Sequence, residues 1–371
     1  MLSKIIRLVK KDAVLTASWI LAIGSAFVVH PSLKYVDYID FRTLGILWSL
    51  MIIMEVMKCI GLFEYIGMNL LGMTNKIWQL VIVLVFICFF TSMFITNDVA
   101  LITFVPFSIM MLEKCDRRDM LIPVVVLQTI AANLGSMLTP IGNPQNLYLY
   151  GLTDMSLLDF IKLLLPYSVS SEVLLLALVL FLKGRKDRTV NELGRPKLQA
   201  KPHVIVIYIS LFLVAFGVVL RVIPYIALVF LVLGTTLILY SKILVSVDFA
   251  LLFTFVGFFI FIGNVGSIPV VEETLKSLVA GNEIATSIVA SQFISNVPAA
   301  LLLSGFTDDV NKLILGVNFG GLGTIIASMA SLISYKQYAR LNYAKKGEYF
   351  KCFTLYNLLF LVALLLLYAV I

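Results

Sequence analysis

Residues 92–106 read SMFITNDVALITFVP, inside an otherwise almost wholly apolar run from Ile77 to Leu112. An uncompensated carboxylate at bilayer depth costs several kcal/mol, so Asn97 and Asp98 need a physical reason to be there. A single spanning helix supplies none. A hairpin that turns back at Thr96-Asn97-Asp98 does, because its polar tip can face a protein-lined cavity and not lipid.

The rest of the chain supports a membrane setting. Of 371 residues, 61% are hydrophobic and 13% charged, against about a quarter charged in soluble domains. Apolar runs of spanning length, roughly 17–25 residues, fall at 13–29, 43–62, 120–148, 160–182, 204–220, 224–240, 249–266, 312–335 and 350–371, with hairpins at 77–112 and 284–306. The largest polar loop, 183–203, reads as a linker. The basic amino-terminal segment resembles a signal peptide, but the repeat described next needs it as a retained first span. The net charge of +7 sits in short loops beside apolar segments. That is the positive-inside pattern and not a nucleic-acid surface. Cys59, Cys88, Cys115 and Cys352 show no CxxC spacing and read as free thiols. His30 and His203 are too sparse for a zinc site.

Three alignments join the halves. YIDFRTLGILWSLMII matches SVDFALLFTFVGFFIF, each opening at Asp-Phe (Asp40, Asp248). FITNDVALITF matches FISNVPAALLL, pairing Thr96-Asn97 with Ser295-Asn296. NLGSMLTPIGNPQNL matches NFGGLGTIIASMASL, pairing Asn133 with Asn318 and Asn143 with Ser328. If both hairpins are re-entrant, nine crossings remain and the repeat is inverted. Most of the 28 Lys and Arg then fall on one face, in the amino-terminal tail, EKCDRRD, the linker and YKQYARLNYAKKGEYFK. That face is the cytoplasm. The predicted fold is an all-α polytopic membrane protein, an inverted repeat with two re-entrant hairpins and two broken transmembrane helices. The first repeat is 1–182, with its hairpin facing the cytoplasm. Residues 183–203 are the cytoplasmic linker, and 204–371 form the second repeat with its hairpin facing outside. The amino terminus is cytoplasmic and the carboxy terminus outside.

Inverted repeats with broken helices mark secondary transporters, whose sites lie near the midplane. Half-helix N-termini suit an anion, and freed carbonyls and hydroxyls suit a small hard cation. Asn97 and Asn296 are therefore expected to contact substrate, while Asp98 is open between proton carrier, cation ligand and helix cap. In the first break Pro140 and Pro144 forbid a continuous helix, and Gly135, Gly142 and Gly151 permit unusual backbone angles. Asn133, Thr139, Asn143, Gln145 and Asn146 gather where lipid would reject them, with Thr139, Asn143 and Asn146 assigned to substrate. The twin break offers Thr324 and Ser328 for substrate, with Ser331 nearby. Asn133 and Asn318 join the ion-coupling set. Glu55 and Lys58 are spaced to pair, Glu172 is a candidate proton carrier, Asn264 reads as a helix–helix hydrogen bond, and Asp40 and Asp248 read as caps.

The tips TND and SNV and the break TPIGNPQN resemble the ion transporter superfamily of citrate carriers, arsenite permeases and divalent-anion/sodium symporters, over nearly the whole chain. NDVALITFVP is most similar to the arsenite-permease and citrate-transporter-like branch. The resemblance implies a scaffold, a mobile transport domain, elevator-type alternating access and a homodimer. It also implies a Na+ site at Thr96, Asn97 and the loop Gly142-Asn143, and a twin at Ser295, Asn296 and the loop Ala327-Ser328. Asp98 and Val297 stand where dicarboxylate carriers have the Thr that helps hold carboxylate, and the second break lacks the TPxG proline. Both depart from dicarboxylate binding.

The resulting expectation is a secondary transporter in the cell membrane for a small anion, oxyanion or carboxylate. Its partners are that substrate, a coupling Na+ or H+ and the bilayer, with no other cofactor and no nucleic acid. Arsenite or antimonite efflux and cation/proton antiport are the alternatives within transport. A channel is disfavoured by paired occluding hairpins. An enzyme lacks a buried base for any Ser or Cys nucleophile, and no GxxxxGK[ST] loop is present for ATP.

Overall fold

A computed structural model describes residues 13–182, 198 and 200–371, and among them every regular element is helical. In the first half these are α1 (Ala13–Ala26), α2 (Lys34–Asp37), α3 (Phe41–Cys59), α4 (Leu62–Leu71), α5 (Ile77–Ile95), α6 (Asn97–Lys114), α7 (Leu121–Ser136), α8 (Pro144–Gly151) and α9 (Leu157–Phe181). The second half has α10 (Pro202–Val219), α11 (Tyr225–Tyr240), α12 (Phe249–Gly266), α13 (Pro269–Val279), α14 (Glu283–Ile294), α15 (Asn296–Ser304), α16 (Val310–Gly320), α17 (Met329–Ala339) and α18 (Lys346–Val370). The 183–203 linker lies largely outside the described residues.

Seven helices among these are long and apolar enough to cross a membrane, or eight if α3 and α4, bent by 56°, count as one. The chain is an all-α polytopic membrane protein. The tally differs from the nine expected crossings because α5 is long enough to count by itself. In addition, α1 has only 14 described residues, and α16 and α17 are each half of a broken span.

Both hairpins form, and each chain reversal is fixed by side chains equally far from its tip. Gln128 Nε2 on α7 donates to Leu84 O (2.8 Å) and to Ser108 Oγ (2.7 Å), which lie equally far from Thr96 on the two arms. At the second hairpin Glu283 and Thr307, equidistant from Ser295, meet through Thr307 Oγ1 donating to Glu283 Oε1 at 3.5 Å. Such interhelical hydrogen bonds hold helices together where lipid gives no hydrophobic drive.

The halves repeat the same order: long helix, short amphipathic arm, hairpin, broken span, closing span. The amphipathic arms α4 and α13 go beyond the sequence expectation, because α4 continues the apolar run of α3 past Gly61 while α13, PVVEETLKSLV, is short and partly charged and reads as a loop. The opening helices exchange partners. α1 packs on α12, where Asn264 Nδ2 donates to Ser25 Oγ at 2.9 Å, and α11 packs on α3. α11 is therefore the counterpart of α1. The helix without a twin among the described residues is α10.

The central helix is α7. Of the span Arg118–Ser136, 83% is inside the protein, against 22% of Tyr225–Val245 and of Lys346–Val370. A helix apolar all round belongs inside, and the others turn broad apolar faces outward. α7 approaches α5 so closely that a Cβ at Gly135 would stand 2.0 Å from Phe89 O, and its twin Gly320 lies against Ser291 Oγ in the same way at 2.5 Å. Gly135, and Gly142, where a Cβ would stand 2.1 Å from Ser136 O, thus serve close contact and not unusual angles. Among the described glycines only Gly61, Gly281 and Gly323 have positive φ, so Gly135, Gly142 and Gly151 do not. Ahead of α7, Arg117 chelates the Asp119 carboxylate (2.7 and 2.9 Å).

Gly135→Ala is expected to destabilise the fold by roughly 1–3 kcal/mol, because a backbone carbonyl cannot step aside. Gly320→Ala should cost less, since the Ser291 hydroxyl can rotate. Thermal unfolding of the two purified variants checks the order.

Candidate functional site

Each hairpin turns on one residue in an unusual conformation. Thr96 has φ 68° and ψ 148°, and Ser295 has φ 73° and ψ 155°. This region is largely reserved for glycine and costs about 1–3 kcal/mol at other residues. Two hydroxyl residues hold the same strained geometry at aligned positions. The strain ends each first arm abruptly and starts α6 and α15 with their N-termini at the tip.

Twin hydroxyls tie each hairpin to its break. Thr139 Oγ1 donates to Met93 O, and Thr324 Oγ1 donates to Gln292 O at 3.3 Å. Met93 and Gln292 align, as do Thr139 and Thr324. The break loops meet the tips as well. Asn97 N–H donates to Gly142 O at 3.1 Å, and Ser295 Oγ donates to Ala327 O at 3.4 Å.

Between the breaks runs a reciprocal pair of bonds. Ser328 Oγ donates to Asn133 Oδ1 at 3.0 Å, and Asn143 Nδ2 donates to Asn318 Oδ1 at 3.4 Å. Asn133 is the twin of Asn318, and Asn143 is the twin of Ser328. A contact and its image can coexist only if a local two-fold relates the two breaks. Asn318 Nδ2 also donates to Asn146 Oδ1 at 2.7 Å, and Asn97 Nδ2 donates to Asn133 Oδ1 at 3.1 Å. All these amides are buried.

Thr96, Asn97, Asp98, Asn133, Gly142, Asn143, Asn146, Ser295, Asn296, Asn318, Ala327 and Ser328 are thus gathered at one place. Thr139 is buried at its edge as a strap. Thr324 is not brought in, because it is exposed and held by Gln292 through its N–H (2.8 Å) as well as its hydroxyl. Asp98 does not cap. The cap position is Thr96, and Asn97 Oδ1 takes the Asp98 N–H at 2.9 Å. Asp98 Oδ1, Asn133 Nδ2 and Gln145 Oε1 are buried without a hydrogen-bond partner among the described residues.

Two cavities meet here. A cleft of about 310 Å³ runs between α3 and the first tip, bordered by Thr96, Asp98, Asn143, Asp248 and the Glu55–Lys58 pair, whose charges lie 3.0 Å apart. A smaller one of about 30 Å³ is bordered by both tips, through Asn97, Asp98, Asn296 and Val297. The expected Glu55–Lys58 pair is present, as is the Asn264 hydrogen bond, which also reaches Tyr35 Oη at 2.8 Å.

Asp248 is the residue the sequence reading under-used. It does cap α12, accepting Ala250 N–H at 3.1 Å, yet it borders both cavities. The signal was legible. Asp40 is followed by Thr43, whose N–H and hydroxyl occupy both carboxylate oxygens. Asp248 has Leu251 in that place.

The sequence profile of the citrate transporter family matches residues 4–333. An uncharacterized transporter of Methanocaldococcus jannaschii is 31% identical over 314 residues, 83% of this chain and 84% of its own. The inner membrane protein YbiR of Escherichia coli is 29% identical over 319 residues, 84% of each chain. A shorter match, 30% identical over 129 residues, 34% of this chain and 26% of the relative, is to the silicon efflux transporter LSI3 of Oryza sativa.

If Thr96 and Ser295 are strained as their angles indicate, glycine at either position should be more stable than alanine by about 1–2 kcal/mol, reversing the usual order for a helix boundary. Paired thermal melts of Thr96→Gly against Thr96→Ala, and of Ser295→Gly against Ser295→Ala, decide it. Alanine equal to or above glycine would mean the turn is unstrained.

Proposed function

The chain belongs to the citrate transporter family, within the ion transporter superfamily, and on that premise we propose that it moves a small anion, oxyanion or carboxylate by elevator-type alternating access coupled to Na+ or H+. The coarser statement, a multi-pass membrane protein of the citrate/anion permease type, follows from the family itself. One observation carries the finer reading: two hairpin tips from aligned halves border one small cavity, with two helix N-termini opening onto it. The partial positive charge of those N-termini and the Asn97 and Asn296 amides suit an anion. The adjoining cleft of about 310 Å³ is at the small end of ligand pockets, about 300–1,000 Å³. The similarity to a silicon efflux transporter extends the substrate class to small oxyacids.

In this reading α5–α9 and α14–α18 carry the tips and breaks as the mobile body, and α1, α3, α10, α11 and α12 are the scaffold. The cleft opens beside Lys58 and Asp248, on the face that the basic loops assign to the cytoplasm, so the conformation is inward-open. The protein works in the cell membrane as a homodimer. The Na+ positions carried over from the resemblance, Thr96–Asn97–Asn143 and Ser295–Asn296–Ser328, lie around this chamber. A second reading, cation/proton antiport, draws on Asp98 and Asp248 both facing the cleft.

Proteoliposome uptake of labelled citrate, succinate, phosphate, sulfate and arsenite, under an imposed Na+ or pH gradient, tests the proposal. Saturable accumulation of one of them that depends on the gradient is expected. Flux that is unsaturable and indifferent to both gradients would make the protein a channel. Asn296→Ala should lower uptake about 10–100-fold, the loss of one hydrogen bond to a charged ligand, whereas Asn97→Ala should lower both uptake and the melting temperature, because Asn97 also bonds Asn133 and the Asp98 N–H.

A further inference from the structure

A third cavity adjoins the cleft. It is a groove of about 390 Å³ between α4 and α6, bordered by Phe63, Glu64 and Met68 on one side and by Thr103, Pro106 and Phe107 on the other. The groove shares Lys58 and Ile102 with the cleft and no residue with the small cavity between the tips. The cleft in turn shares Asp98 and Asp248 with that small cavity. The three spaces therefore follow one another, with Lys58 at the first wall and two aspartates at the second. Among the described residues that border them, Lys58 is the only one with a cationic side chain. Carboxylates are more numerous: Glu64 borders the groove, Glu55 the cleft, and Asp98 and Asp248 the second wall. Side-chain attraction for an anion entering this series rests on Lys58.

The sequence of α3 puts Lys58 there. Leu47, Leu50, Met51, Met54, Glu55 and Lys58 border the cleft, at the three- and four-residue spacing of one helix face. Lys58 stands in the last turn of α3, where the negative end of the helix dipole favours a cation. Its ammonium donates to both oxygens of Glu55, at 3.0 and 3.2 Å. The two side chains are 33% and 28% exposed, so the pair is hydrated and weak, and its anionic member is exchanged at little cost. A purely structural role explains the pair poorly. Both members lie on one helix, three residues apart, so their bond ties no second element to α3.

We propose that Lys58 captures the anion at the cleft, and that Glu55 is its resident counter-charge, displaced when a carboxylate or oxyanion arrives. The incoming group accepts the ammonium's hydrogen bonds in place of Glu55, whose carboxylate is exposed enough to turn to water. Glu55 thereby competes with every anion for one cation and sets the apparent affinity. A multiply charged anion gains more from the ammonium than the single carboxylate it displaces, so the exchange selects di- and trivalent anions over monovalent ones. The inference rests on the transport reading above and adds to it the residue that admits the anion.

Uptake kinetics of the full-length protein in proteoliposomes test it, with whichever of citrate, succinate, phosphate and sulfate the wild type accumulates. Lys58→Gln should raise KM about tenfold or more, the loss of one charged partner. Glu55→Gln should lower KM at least twofold, because the ammonium then has no competitor. The double variant Glu55→Gln/Lys58→Gln should match Lys58→Gln, since Glu55 acts only through Lys58. Opposite signs are the signature. A pair that merely steadies α3 loses the same bond in both single variants, and KM then moves the same way in both or in neither. Lys58→Gln within threefold of wild-type KM, or Glu55→Gln with KM unchanged or raised, overturns the capture role. Thermal melts check that each variant folds, and if one single variant does not, the sign of the other decides. A wild type that takes up arsenite alone, which is uncharged at neutral pH, keeps the transport reading and loses this inference. A wild type that takes up nothing loses both.

Discussion

The fold depends on satisfying the polar groups of two helices that stop partway through the protein. A helix break leaves backbone donors and acceptors that lipid cannot satisfy. Here the two breaks satisfy one another. Asn133 with Ser328 and Asn143 with Asn318 are one contact used twice across a local two-fold. If either half were present alone, its amides would face hydrocarbon. The requirement that each break cover the other fixes the relative placement of α7–α8 and α16–α17, and through the Thr139 and Thr324 straps it fixes both hairpins.

The strained turns follow from the same constraint. With arms held by Gln128 on one hairpin and by Glu283 and Thr307 on the other, the reversal must be made within one residue. Thr96 and Ser295 accept the unfavourable backbone angles, and both half-helices begin at the chamber. Symmetry of backbone does not bring symmetry of chemistry. The first half supplies Asp98, Gln145 and Asn146. The second supplies Val297, Ala330 and Ser331 at the corresponding positions, and Asp248 from the start of α12.

Most of the site could be read along the chain because its residues violate a local expectation. Asn97, Asp98, Asn133, Asn143 and Asn296 are polar side chains in apolar runs, and the alignment of FITND with FISNV supplied their pairing. Thr324 obeyed the same pattern yet faces outward, since Gln292, one turn before the second tip, holds both its N–H and its hydroxyl. Asp248 escaped because it stands at a helix start, where a capping carboxylate is ordinary. Only the missing hydroxyl two residues beyond Phe249 separated it from the satisfied Asp40. The exchange of α1 and α11 between halves was equally hidden, because partner choice depends on shapes such as the Gly45 and Gly257 surfaces and not on hydropathy.

The sequence by itself determined that the chain is helical and membrane-spanning, where it breaks, and which breaks are twins, since burial in lipid makes every polar residue within a span conspicuous. Tertiary structure alone decided which residues of those breaks border a common space, which are spent on each other, and that Asp248 stands beside the first tip. Those outcomes depend on distances between segments some 150 to 200 positions apart, and no local periodicity carries that information.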